Sequence, residues 1–281
     1  MKKCFFYWGG DKLPLLNLLS LISFKKFNPD YKVILYKPYL NFNDATWPTH
    51  EQKIKYNGDD YSYLIPKFTD EIRELNLNEI GFPNEVHHSQ KADILRQWLM
   101  FNEGGWWSDM DVIWLKSISL MGLENNYDLG VCWRNGHHSS GVMFSRPKTV
   151  FYENIFNSLR AYFSSSFYQS AGPSLLNNLY SGIESIENSE LGIKVYNFEL
   201  FNFYPILYNE LNLLYNQSNG IDRITDNVYG IHWYNGDTLS ANFLNLFNVD
   251  SIGTSELTIY KILNTILGCD TIKKIINNIN E

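Results

Sequence analysis

Phe5-Phe6-Tyr7-Trp8, ended by Gly9-Gly10, leads into Pro14 with Leu15, Leu18, Leu19 and Ile22 at helical spacing, and then into Val33-Ile34-Leu35-Tyr36. Two short apolar runs flanking an apolar helical stripe read as strand, helix, strand. Such a βαβ unit implies a parallel sheet whose ligand crevice lies beyond the carboxyl ends of its strands. Trp8 stands at that edge.

Downstream, Asn41 to Pro66 is polar and aromatic without periodicity and is expected to be loop. From Gln90 to Asn102, Leu95, Trp98 and Leu99 form an apolar stripe while Asp93 and Arg96 share another face. This predicts an amphipathic helix stopped by Gly104-Gly105. Trp106 to Leu115 is expected to be extended. Apolar runs at 129–133, 141–144 and 228–233 then alternate with helical stretches at 149–163 and 173–179. Ile259, Ile262, Leu263, Ile266 and Leu267, then Ile272, Ile275, Ile276 and Ile279, fall on helix faces separated at 268–270. A helical pair packed on the body is expected there, in preference to a membrane-docking tail. The division that follows is a main unit over 1–250, with halves of about 1–115 and 116–250, and a helical tail over 251–281.

The chain has 281 residues, 44% hydrophobic and 19% charged, enough apolar material for a large core and unlike a disordered or collagenous chain. The net charge of −7 argues against a general nucleic-acid binder. Aromatic residues make up 16% of the chain, and aromatic faces stack on bases and on sugar C–H surfaces. An AT-rich coding sequence accounts for part of that excess. Cys4, Cys132 and Cys269 are too few and too scattered for a disulfide framework or a zinc site. Leu13 to Phe24 is interrupted by Asn17, Ser20 and Ser23 and is too short to span a bilayer. A cytoplasmic protein is expected, with room for peripheral contact at the inner membrane face.

The chemistry is concentrated in Gly104-Gly105-Trp106-Trp107-Ser108-Asp109-Met110-Asp111. In extended backbone, residues two apart face one side, so Asp109 and Asp111 are expected to present two carboxylates to one point. Hard oxygen pairs suit Mg²⁺ or Mn²⁺, which also bind substrate phosphate, and a diphosphate is the natural third party. An Asp-x-Asp alone is weak, because surface turns produce it often. Here it follows an apolar, glycine-led strand and a helix carrying an Asp/Arg pair.

Lys91-Ala92-Asp93-Ile94-Leu95-Arg96 followed by Gly104 to Val112 resembles the DxD sugar-binding region of glycosyltransferase family 32 and the related large clostridial toxin glucosyltransferases. Tyr7-Trp8-Gly9-Gly10, Ser140-Gly141-Val142-Met143-Phe144, Ala171-Gly172-Pro173 and Ile231-His232-Trp233 fit in order, up to about residue 245. The resemblance implies an α/β chain of GT-A fold, a Rossmann-like nucleotide-binding mixed sheet merged with an acceptor-binding half. It also implies a divalent cation, Mn²⁺ or Mg²⁺, and a nucleotide sugar, UDP-linked. By position, Trp8 would stack on the base, and Asp93 and Arg96 would contact ribose and donor sugar. Asp109 and Asp111 would hold metal and sugar nucleotide, with His232 near the metal. Asp237-Thr238-Leu239-Ser240 resembles the acidic-x-x-Ser of the toxin branch, so either His232 or Asp237 would complete the metal site, with Ser240 on the donor and Asp237 among the catalytic acids. Trp107 stands where the family usually has Tyr, which would reshape the donor pocket. The Trp that the family carries after the late Ser is absent, with Asn242 and Phe243 nearby.

The expected activity is metal-dependent, retaining transfer of a sugar to a glycan acceptor such as a surface polysaccharide, with protein or DNA as alternative acceptors. The rivals are a binding module without turnover and a two-acid hydrolase. The hydrolase would need carboxylates ~5 Å or more apart on opposing sides of a glycosidic bond, which one Asp-x-Asp does not give. His87-His88 and His137-His138 are adjacent pairs that would not chelate one ion, and both are expected at the surface or in an acceptor loop. Ser139, Ser140 and Gly141 are expected to line the donor pocket with backbone amides.

Overall fold

The computed structural model describes residues 2–42, 54–134, 136–187, 192–198 and 200–277. Part of the loop expected over 41–66, and Ile279 of the tail, lie outside them. The βαβ unit forms as predicted: β1 (Lys3–Tyr7), α1 (Leu15–Phe27) and β2 (Lys32–Pro38), with β1 and β2 parallel. Along β1, Cys4 and Phe6 enter the core under α1, while Phe5 and Tyr7 enter a second core on the opposite face. A strand covered on both faces has to be continuously apolar, and this one is.

Seven strands form one sheet in the order β3-β2-β1-β4-β7-β6-β8, with β3 (Glu71–Leu75), β4 (Gly105–Ser108), β6 (Leu129–Arg134), β7 (His137–Ser145) and β8 (Val195–Asn197). β4 runs parallel to β1, and β7 is antiparallel to both β4 and β6. From β1 the chain goes to β2 and β3 on one side and to β4 on the other, so the topological switch lies between β1 and β4. A ligand crevice is expected at their carboxyl ends. Sequence periodicity missed β3 because it is an edge strand faced with charge: Arg73 pairs with Glu71 at 2.6 Å and with Glu103 at 2.7 Å.

The extended run expected over Trp106–Leu115 is broken. After β4 the chain turns at Asp109–Asp111, and β5 (Val112–Trp114) leaves to pair with β9 (Gly230–His232) in a separate two-stranded sheet. The helix expected over 90–102 begins earlier, as α2 (His88–Asn102), with the His87 ring accepting from Ser89 N at its start. It ends where Gly104 takes φ +59°, and a Cβ there would come within 2.5 Å of Pro147 N. Each histidine pair has one buried member and not two surface ones: His87 is buried, and so is His138, whose ring contacts the Tyr180 carbonyl at 3.1 Å, while His137 is exposed as expected.

α3 (Val150–Tyr162) and α4 (Pro173–Leu179) cover the α2 face of the sheet. At the C-terminal end, α5 (Thr238–Leu246) precedes α6 (Thr258–Ile266) and α7 (Cys269–Asn277), which are separated at Gly268, φ +80°. Ile259, Leu263 and Ile272 are buried in the same core as α1, and the Lys26 ammonium donates to the Ile266 carbonyl at the end of α6. The tail therefore packs on the body, as its periodicity predicts. No helix among the described residues is long and apolar enough to cross a membrane.

Candidate active site

A cleft of about 780 Å³ opens at the switch point, bounded by Trp8 after β1, the first turns of α2, the Asp109–Asp111 turn and the loop after β9. Each edge is fixed by backbone bonds. Trp8 N donates to Tyr36 O at 3.0 Å, extending the β1–β2 ladder by one residue, and Asp109 N donates to Gly141 O at 2.8 Å. Trp233 N donates to Asp111 O at 2.9 Å, and Asn17 Nδ2 from α1 donates to Met110 O at 3.1 Å. The turn that carries both acids is thus held by α1, β7 and the β9 strand end.

Asp109, Asp111 and His232 each place a ligand-type atom within 4.8 Å of the others, a group that no other trio of described residues joins. The carboxylates converge through the turn between two sheets, and the extended alternation expected from the sequence is not the cause. β5–β9 pairing sets His232 opposite Val112, beside Asp111. His232 Nε2 stands 3.3 Å from Asp111 Oδ1, an oxygen that receives no hydrogen bond, while Asp111 Oδ2 accepts from Asn235 N at 2.8 Å. Asp237 lines the same cleft, but its carboxylate accepts from Leu239 N at 2.7 Å and caps α5.

Asp93 and Arg96 form a buried ion pair at 2.7 Å, with side chains only 7% exposed, and not the surface pair common at this helical spacing. Arg96 also reaches Asp109 Oδ2 at 3.4 Å and the Ser140 carbonyl at 2.5 Å. Beneath it, Trp107 lies with its ring 5.2 Å from the guanidinium and donates Nε1–H to Asp109 Oδ1 at 2.7 Å. Trp107 is fully buried and does not line the cleft, so it positions Asp109 and Arg96 where donor contact was expected. Ser240 is likewise buried and turned inward, donating to Trp233 O at 2.8 Å; it too supports the β9 end and lies away from the cleft. Ser139, Ser140 and Gly141 line the cleft as expected, from β7.

Sequence reasoning missed the role of two glycines. A Cβ on Gly141 would sit 2.7 Å from His232 Cδ2, and one on Gly172 would sit 2.6 Å from Asp93 Oδ2. Both lie in the motifs quoted above, and this close approach is the reason a side chain does not fit. Tyr204 and Tyr234, also missed, flank His232 with ring centroids 5.2 and 4.4 Å away. Gly141→Ala is expected to displace the imidazole and weaken Mn²⁺ binding by ~10-fold, the usual scale for disturbing a ligand's support, with little loss of helix content. Calorimetric titration with Mn²⁺ checks this; unchanged affinity would remove His232 from the ion's surroundings.

Four aspartates, Asp93, Asp109, Asp111 and Asp237, face one arginine along the cleft. Burial pushes the Asp111 carboxyl up to about 6 against the pull of the Asn235 N–H, and burial pushes Asp93 up to about 6 against the pull of Arg96. Burial raises Asp109 as well, again opposed by Arg96. A bare diphosphate would be repelled here, whereas a divalent cation would neutralise the acids and admit it. Two carboxylate oxygens and one imidazole nitrogen, one of the oxygens without a hydrogen bond, fit Mn²⁺ well and Mg²⁺ acceptably. Because a carboxyl must lose its proton to ligate, Mn²⁺ affinity is expected to be high above the Asp111 value and to fall as pH drops through about 6. Titrations at pH 7.5 and 5.5 measure this, and equal affinities would place the ion elsewhere.

Residues 19–128 match the glycosyltransferase sugar-binding region containing the DXD motif, and residues 144–245 match the alpha 1,4-glycosyltransferase conserved region. The first segment holds the Asp109–Asp111 turn and the second holds His232. Among solved structures, the chain is similar to the glycosyltransferase GlyE of Streptococcus pneumoniae TIGR4, with 9% identity and a TM-score of 0.50, over 97% of this chain and 65% of that one. It is also similar to galactosyltransferase LgtC in complex with donor and acceptor sugar analogs, with 12% identity, a TM-score of 0.42 and coverage of 99% and 96%. The PaToxG glycosyltransferase gives 16% identity, a TM-score of 0.46 and coverage of 66% and 70%. No curated protein sequence matches the chain significantly. The mixed seven-stranded sheet together with the match to GlyE gives the fold as GT-A, and the family matches agree with the resemblance to glycosyltransferase family 32.

Proposed function

We propose, from the premise that this is a DXD-containing glycosyltransferase of GT-A fold resembling family 32, that it transfers a sugar from a UDP-sugar to a glycan acceptor, in a Mn²⁺- or Mg²⁺-dependent reaction that retains anomeric configuration. The observation that carries this is the convergence of Asp109, Asp111 and His232 at the switch-point crevice, in a cleft whose acids outnumber its one arginine. Asp109, Asp111 and His232 would hold the cation. When bound, it supplies positive charge to the diphosphate as that group departs, so no protein acid need protonate the leaving group.

The remaining roles belong to this chain's own groups. Trp8 would stack on the base; its indole N–H, like the nearby Tyr7 hydroxyl and His88 Nδ1, is buried without a hydrogen-bond partner, and a bound nucleoside would supply partners. Asp93 would accept from donor-sugar hydroxyls, with Arg96 fixing its orientation. The acceptor hydroxyl oxygen bonds to the anomeric carbon on the face from which the diphosphate leaves, the carbon–phosphate-oxygen link breaks, and the hydroxyl proton passes to the departing phosphate. Same-face attack of this kind needs no protein nucleophile. Asp237 is assigned a supporting catalytic role beside this set. The reading keeps the protein in the cytoplasm or against the inner membrane face, where it would extend a surface polysaccharide.

The test is release of nucleoside diphosphate from a panel of UDP- and GDP-sugars, with Mn²⁺ or with chelator. Release from one UDP-sugar that chelator abolishes is the expected result. Turnover in chelator would favour the two-acid hydrolase, and calorimetric binding without turnover in the presence of candidate glycans would favour the binding module. Absence of both binding and turnover would sink the proposal.

A further inference from the structure

We infer that Tyr234 is a positioning residue for the candidate cation, holding His232 with its ring and Asp111 with the backbone on either side of it; this rests on the metal-dependent reading above. The starting observation is its conformation. Tyr234 has φ +55°, in the left-handed region that bulky residues disfavour and where glycine or asparagine is usual. Lys148 is the other described non-glycine residue with positive φ; it does not line the cleft, whereas Tyr234 does. Such a conformation persists only where its surroundings impose it, and these positions gather at functional sites.

The surroundings here are bonds to Asp111. Trp233 N, just before Tyr234, donates to Asp111 O at 2.9 Å, and Asn235 N, just after it, donates to Asp111 Oδ2 at 2.8 Å. Asp237 N then donates to Tyr234 O at 3.0 Å and closes a turn. The left-handed residue therefore lies between two N–H groups that both go to one aspartate. With its carbonyl and Oδ2 engaged, Asp111 keeps Oδ1 for the ion, 3.3 Å from His232 Nε2. A glycine would meet this backbone requirement without strain, so a tyrosine here calls for a reason in its side chain.

The ring supplies that reason. It meets the His232 imidazole edge to face at 4.4 Å and 72°, while Tyr204 lies against the same imidazole at 5.2 Å and 38°. From β7, Gly141 comes so near that a Cβ would fall 2.7 Å from His232 Cδ2. Bounded by two rings and a strand backbone, the imidazole cannot rotate without displacing one of them, and Nε2 stays beside Asp111. A ligand already held in its binding orientation gives up less freedom when the ion arrives. The Tyr208 backbone N–H and the Arg134 charge act on the Tyr234 hydroxyl, so deleting that oxygen alone separates their effect from the ring's.

The experiment compares full-length wild type, Tyr234→Phe, Tyr234→Ala and Tyr234→Gly by calorimetric titration with Mn²⁺ and by thermal melts without metal. Tyr234→Phe is expected to match wild type in Mn²⁺ affinity, while Tyr234→Ala and Tyr234→Gly both bind ~10-fold more weakly, the scale of losing a ligand's support. In the melts, Tyr234→Gly is expected about 2 °C above Tyr234→Ala, because only the alanine carries left-handed strain. A residue that serves the fold alone would give the opposite pattern, with Mn²⁺ affinity following the melting point from Gly to Ala. That pattern, undiminished affinity in Tyr234→Gly, or a Tyr234→Phe as weak as Tyr234→Gly would overturn the role of the ring. A Tyr234→Ala at least as stable as Tyr234→Gly would overturn the strain. Failure of wild type to bind Mn²⁺ would instead bring down the metal-dependent reading, and this inference with it.

Discussion

Asp111→Ala is expected to lower donor turnover by ~10³-fold or more while leaving the fold at least as stable as wild type. The scale is that of removing a group which organises charge stabilisation of a leaving oxyanion. The substitution deletes Oδ1, which stands 3.3 Å from His232 without a hydrogen bond, and Oδ2, which Asn235 N–H reaches at 2.8 Å. It does not touch the Asp111 carbonyl that accepts from Trp233 N at 2.9 Å, so the bond fastening the turn to the β9 end survives. It also removes one of the acids crowded into the cleft, relieving a repulsion that the metal-free protein carries. Loss of activity without loss of stability is the behaviour of a group kept for function at some cost to the fold. Thermal melts with and without Mn²⁺ read this directly. A cation that binds only the folded state raises the midpoint of wild type, and that rise should vanish in the variant. An Asp111→Ala protein that Mn²⁺ still stabilises as well as wild type would show that the ion binds elsewhere.

How much of this was legible beforehand follows from what each residue answers to. β1, α1 and β2 were readable because their residues respond to burial, which leaves a periodic trace, and so did the tail helices, whose isoleucines fall on one face. The site was readable as a motif but not as geometry. Nothing in Trp106 to Leu115 marks the break at Asp109, since both halves are apolar and the difference lies in which sheet each half joins. Trp107 and Ser240 have residue types suited to ligand contact, and only the tertiary structure turns them beneath the cleft. Asp93 and Arg96 look like an ordinary helical surface pair because helical spacing cannot say that α4 and β7 close over that face. Gly141 and Gly172 were visible as glycines, but their reason is the approach of His232 and Asp93 from segments distant in sequence. β3 left no apolar alternation to find, its place at the sheet edge being secured by ion pairs.

The second large effect is on stability. Arg96→Met is expected to destabilise the metal-free protein by ~3–5 kcal/mol at pH 7.5, the usual cost of stranding the partners of a buried ion pair. For a chain of this size that lowers the melting midpoint by roughly 10 °C. Methionine fills much of the volume and keeps contact with the Trp107 ring, so the loss measures charge more than packing. Arg96 is the one cation against Asp93, at 2.7 Å, and Asp109, at 3.4 Å. Burial already holds Asp93 up at about 6, and Arg96 is what restrains it from rising further. Without Arg96 both acids take up protons at higher pH in the folded state, while their unfolded values stay near the ordinary carboxylate range. The folded state then binds more protons than the unfolded state across that interval, so this contribution to stability rises as pH falls through the folded values and is lost as pH rises. The Arg96→Met deficit should therefore be largest at pH 7.5 and shrink by pH 5.5, relative to wild type at each pH. Adding Asp93→Asn should recover part of the deficit at pH 7.5 and flatten its dependence on pH, because the pair is coupled and the two substitutions do not add. A deficit independent of pH, or a double variant as unstable as the sum of the singles, would mean that Arg96 acts through packing and its bond to the Ser140 carbonyl, and that the three charges are not a single unit.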